Sequence, residues 1–107
     1  MLAQRSRNGD NSRKQGTLGS TTNTMNDELV RAIDMALEGQ WEASHNIVQQ
    51  YDSDRTASWI HAVLHKIEGD RGNSMYWYRR AGKIDFADHE STAELRAIRA
   101  ELESLIR

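Results

Sequence analysis

The chain of 107 residues contains no cysteine and no proline. The first absence excludes a disulfide framework, thiolate zinc sites and cysteine nucleophiles, and it removes the usual mark of secretion. The second leaves every helical pattern uninterrupted. No apolar stretch approaches the ~18 residues needed to cross a bilayer. No charged start followed by an apolar run marks a signal peptide. There is no glycine-rich phosphate loop and no Gly-x-Ser-x-Gly elbow. No sustained period-two alternation marks a strand. Together these absences predict a cytoplasmic, all-α protein that neither spans nor sits on a membrane.

What remains is a modest core in a charged chain: 37% apolar and 28% charged residues, enough for one small domain. The net charge of -2 is unevenly divided. Residues 1–24 carry Arg5, Arg7, Arg13 and Lys14 against Asp10 alone, a net +3, and the remainder carries 10 basic and 15 acidic groups, a net -5. An acidic body argues against nucleic acid as a partner, because phosphate binding needs a basic surface. Residues 1–24 are polar, with little to bury, so ordering them costs entropy without return. The expected organisation is a disordered tail over 1–25 and a single helical domain over 26–107. An alternative start at Met25 is a second reading of the same segment.

From Met25 onward the pattern is helical. Asn26 caps a first helix, with Asp27 and Glu28 in its positive first turn. Leu29, Val30, Ile33, Ala36 and Leu37 mark its inner face, and Gly39 ends it. A second helix carries Trp41, Ser44, Ile47, Val48 and Tyr51, and "DSD" at Asp52–Asp54 breaks and recaps the chain. A third runs to about Glu68 with Ile60, Val63, Leu64 and Ile67 inward. After the turn at Gly69, Asp70 caps a fourth helix that groups Ser74, Trp77, Tyr78 and Ala81. Residues 82–90 connect, with a helical turn at Phe86. Ser91 and Glu94 then form a capping box for a last helix with Leu95, Ile98, Leu102, Leu105 and Ile106 inside. Its apolar spacing is near a heptad but short, which predicts packing on its own domain and at most a weak homodimer.

One segment echoes another. "EGQWEASHNIVQQY" (Glu38 to Tyr51) aligns with "EGDRGNSMYWYRRA" (Glu68 to Ala81) at an offset of 30 residues. Each is a turn followed by a helix with a small residue, Ser44 or Ser74, at its first inward position, where it lets the preceding helix approach closely. Two antiparallel hairpins in series, with the last helix capping the open end, is the predicted architecture.

The spacing Gly39–Trp41–Ser44–Val48 resembles the turn of a tetratricopeptide (TPR) repeat. Gly69–Ser74–Tyr78–Ala81 with "YWYRRAG" resembles the second helix of a Sel1-type repeat. The stretch from Trp41 to Gly82 also resembles a small uncharacterised α-helical family carrying W-I-H-A, L-H-(R or K), E-G-D and Y-W-Y-R-R-A-G in this order. Here those are Trp59–Ala62, Leu64–Lys66, Glu68–Asp70 and Tyr76–Gly82. The resemblance implies TPR/Sel1-like helical hairpins in one domain and brings no activity with it.

Two readings of function follow. Helical hairpin arrays expose side chains on a concave surface, so the favoured expectation is a non-enzymatic module that binds a protein or peptide. Its candidate contacts are Trp59, His61, His65, Tyr76 and Arg79, and it needs no cofactor. The alternative starts from His61, His65 and Glu68, which stack on one helical stripe. With Ile60 as the centre of the inner face they lie about 80–140° away at 100° per residue, bordering the core. His45 lies near the edge of the neighbouring helix, facing His61 or His65 if the helices pair antiparallel. Histidines and a carboxylate are a first shell for zinc, or a general acid–base set for hydrolysis. "HAVLH" has no glutamate at its second position and so lacks the zincin signature. A boundary histidine that bonds to backbone or covers apolar surface is the bland counterpart.

Overall fold

The computed structural model describes residues 21–106, with side chains from Thr24 onward. Five α-helices follow in order: α1 Thr21–Leu37, α2 Trp41–Val48, α3 Arg55–Glu68, α4 Arg71–Ala81 and α5 Ser91–Ile106. Short 3-10 turns occupy Gln49–Tyr51 and Ile84–Phe86, and no strand occurs among the described residues. No described helix is long and apolar enough to cross a membrane.

The turns follow local chemistry. Gly39, Gly69 and Gly82 hold φ of 82°, 87° and 70°, the left-handed region where helices end on glycine. The Asp54 carboxylate accepts the Ala57 amide at 2.9 Å, and that of Asp70 accepts the Asn73 amide at 3.2 Å, capping α3 and α4. Two boundaries differ from expectation. α1 begins at Thr21, so Asn26 lies inside the helix and is buried. No glycine follows Gly19 before Gly39, and threonine and asparagine each cost a helix only about 0.7 kcal/mol or less. Residues 1–20 of the expected tail lie outside the described residues. At α5 the cap is Glu90, whose carboxylate accepts the amides of Thr92 and Ala93 at 2.9 Å each. Glu94 is not half of a capping box but points into the interior.

α3 is the central element. Nine consecutive residues, Ala57 to His65, are buried, so this helix has no solvent face over its middle turns. It packs on α4 most extensively and also on α5 and α2, while α1 packs on both α2 and α5. α5 therefore joins the two helix pairs, leaning chiefly on α1. Residues from all five helices share one apolar cluster, including Ile33, Val48, Ile60, Tyr78 and Ile98. Ser44 and Ser74 are both buried, and the Ser74 hydroxyl donates to the Ala62 carbonyl at 2.8 Å. Ile67 and Leu105, expected inward, are 46% and 62% exposed. Both lie in the last turn of their helices, past the packed stretch.

A second set of buried polar groups locks α3, α4 and α5. The Glu94 carboxylate is 3% exposed and accepts the Trp59 indole N–H at 2.8 Å, the Tyr78 hydroxyl at 2.8 Å and the Lys66 ammonium at 2.7 Å. Lys66 also donates to the carbonyls of Phe86 and His89. Each polar group finds a partner, the condition under which a buried charge is tolerated.

Candidate metal centre

His45 projects from α2, and His61 and His65 project from successive turns of α3. The 3-10 turn Gln49–Tyr51 and the Asp54 cap lead α2 back into α3, and the Trp41 indole donates to the Leu64 carbonyl at 2.6 Å, pinning the start of α2. One ring nitrogen from each histidine falls within 4.8 Å of the others. Nε2 of His45 and Nε2 of His61 are 3.0 Å apart. Two ligands on a tetrahedral ion with bonds of about 2.0–2.1 Å stand roughly 3.3 Å apart, a span the His45–His61 pair already nearly has and toward which His65, within 4.8 Å, closes by side-chain movement.

Aromatic rings wall the cluster on two sides. Trp41 stacks on His45, with centroids 4.6 Å apart and planes 16° off parallel. Trp77 stacks on His61 at 3.9 Å and 15°. His61 and His65 lie 4.9 Å apart, and the His45 ring stands edge-on to both. The walls restrict each imidazole to few orientations.

The remaining ring atoms carry the chemistry. His65 Nδ1 donates to the Glu68 carboxylate at 2.7 Å. That bond fixes the tautomer and leaves Nε2 with a free lone pair, the arrangement in which a carboxylate orients a metal-ligating histidine. His61 presents Nε2 to His45, and its Nδ1 is buried without a partner among the described residues. Burial, then the neighbouring His45 and His65, pushes the His61 pKa down to about 3. His45 is lowered as well, by burial first and then by the charge of His65. Both rings are thus neutral near pH 7, the form that binds metal.

His61 and His65 are 5% and 8% exposed, so they sit inside the molecule and not at the core boundary. The physical reason is the central position of α3. Glu68 meets the cluster only through His65. With His65 and Asp70 it forms a further oxygen-rich group, but Asp70 is committed to Asn73 at the start of α4. Trp59 is 2% exposed and bonded to Glu94, so it lies in the core and not on a contact surface. Of the expected contacts only Tyr76, 49% exposed, and Arg79 face solvent. The aromatic walls were not legible as such: Trp41 stands four residues before His45, a spacing that brings rings together on one helix, while nothing local links Trp77 to His61.

No protein-family model, curated protein or solved structure matches the chain.

Proposed function

We propose that the protein binds one late first-row divalent ion, of which zinc is the natural probe, through His45, His61 and His65. Glu68 orients His65 from outside the ligand set. The observation that carries the reading is the convergence of three ring nitrogens, drawn from two helices, within 4.8 Å. Imidazole suits zinc, copper and nickel, and no thiolate is present to favour a softer ion. The bound ion ties α2 to α3. Glu68 is held by His65 and is not free as a general base, which favours metal binding over hydrolysis.

Protein isolated without a polyhistidine tag tests this. We expect about one equivalent of zinc per chain, and a melting temperature that rises with added zinc. The added stability is about 2.7 kcal/mol at a hundredfold excess over Kd. His45→Gln, at the partly buried position, weakens the rise markedly while the protein stays folded. Less than a tenth of an equivalent, with no zinc-dependent shift, removes the reading.

A second reading, the protein- or peptide-interaction module, keeps support from Tyr76 and Arg79 on exposed α4. The TPR/Sel1-like arrangement of α1–α2 and α3–α4, the kinship with the W-I-H-A family, a cytoplasmic location and a monomer or weak homodimer belong to that reading as proposals. Contacts between neighbouring helices and the paired serines support it.

A further inference from the structure

Helix α4 keeps an outer face open to solvent, with Tyr76, Arg79 and Arg80 exposed on it. It packs on α3 and on the Ile84–Phe86 turn, and of its 11 residues only Ser74, Tyr78 and Ala81 are buried. Residues 71–83 hold Arg71, Arg79, Arg80 and Lys83 and no acidic residue, within a body that is otherwise strongly acidic. Tyr76, Arg79 and Arg80 stand at helical spacings of three and four, so they form one stripe, while Lys83 lies past the Gly82 cap and covers the Trp59 ring.

The stripe is preorganised. The Arg80 guanidinium lies 5.1 Å from the Trp77 ring centroid and 5.8 Å from that of Tyr76. It also donates to the Asp52 carbonyl at 3.0 Å. Tyr76 and Trp77 meet edge to face at 5.2 Å. Trp77 also stacks on His61 with centroids 3.9 Å apart, which fixes the ring. Arg55 reaches the same end of α4 through the Ala81 carbonyl. Among the described residues no carboxylate pairs with Arg55, Arg79, Arg80 or Lys83. Tyrosine, tryptophan and arginine held rigidly together are the side chains that concentrate binding energy at protein interfaces. A cationic surface without internal counter-charges selects an anionic partner.

We infer that the Tyr76–Arg79–Arg80 face of α4 docks an acidic peptide segment of a partner protein. The inference rests on the interaction reading and is independent of the metal centre. A peptide is favoured over nucleic acid because the net charge of -5 over residues 25–107 repels a dense polyanion, whereas a short acidic segment meets only the local field. One helix face is a small interface, so the complex is weak and salt-sensitive.

The test is fluorescence anisotropy on the full chain at low salt. The probe is a labelled peptide of glutamates interrupted by two phenylalanines. Expected is saturable binding that weakens about tenfold or more in Arg79→Glu/Arg80→Glu and several-fold in Arg79→Glu, with helical circular dichroism unchanged. Arg79 makes no described side-chain bond, so its single variant guards against a folding artefact. No saturable binding, or binding within twofold of wild type in both variants, overturns the inference. So does tighter binding of an oligothymidylate or of phosphatidylserine vesicles, which assigns the face to another class of anion. Saturable binding of a lysine-rich counterpart alone removes this face but leaves an interaction module standing.

Discussion

Glu94 sits where water does not reach, and its charge is balanced by three donors from two other helices. The Tyr78 hydroxyl is held above its ordinary pKa by burial and then by its bond to Glu94, so it stays a donor. Removing one partner of a buried ionic pair leaves the other uncompensated. Glu94→Ala is therefore expected to cost about 3–5 kcal/mol, read as a lower urea midpoint with unchanged slope. His61 sets a second expectation at this scale. Its folded pKa, about 3, lies below the ordinary 6.5 of the unfolded chain, so between those values the unfolded chain binds a proton that the folded one refuses. Stability of the metal-free protein falls as pH drops through that window, by about 1.4 kcal/mol per pH unit for a fully coupled group. His45 acts in the same direction, with Glu42 and Glu68 opposing it. Urea midpoints from pH 7 to 5 check the slope, which His61→Gln should flatten, and a flat wild-type profile contradicts it. The helical spacing of His61, His65 and Glu68 was legible in the chain. The burial was not, and neither was the role of Glu94, because its position three residues after Ser91 matches a capping box equally well.

Among the elements, the helix count, most turns and the caps at Asp54 and Asp70 were legible, since each rests on chemistry within a few residues. What tertiary packing decides was not. An amphipathic reading assigns every helix one wet face, and α3, with nine successive buried residues, has none there. Gly82 gives an element-scale expectation. Its φ is +70°, and an added Cβ would meet the Arg55 guanidinium, which bonds the last carbonyl of α4. At Gly39, φ is +82° but the space is open. Gly39→Ala should cost about 1 kcal/mol from backbone strain alone, and Gly82→Ala about 1 kcal/mol more for the lost Arg55 bonds. Equal thermal shifts for the two would contradict this account of Arg55. Between α1 and α5, Arg99 grips Asp34 through two nitrogens at 2.7 and 3.1 Å and lowers the aspartate pKa. Both side chains are about a third exposed or more, so Arg99→Ala should cost no more than about 1 kcal/mol at low salt and less at high salt.

At the scale of the molecule, α2 bridges α1 and α3, while α5 runs from α1 to α3 on its own contacts. Metal ligation adds a link between α2 and α3 made of three side chains and one ion. The account predicts that metal-free protein is looser at α2 than at α3, with faster amide exchange in Trp41–Val48 that zinc slows. The charge division of the whole chain and the grouping of Tyr76 with Arg79 and Arg80 were readable in the sequence, but that no described carboxylate of another helix reaches those arginines is decided by packing. X-ray absorption of the zinc-loaded protein tests the central claim most directly. It should show three imidazole nitrogens at about 2.0–2.1 Å, with the count falling to two in His45→Gln. A shell of water and carboxylate oxygens without imidazole scattering, unchanged in that variant, would contradict it.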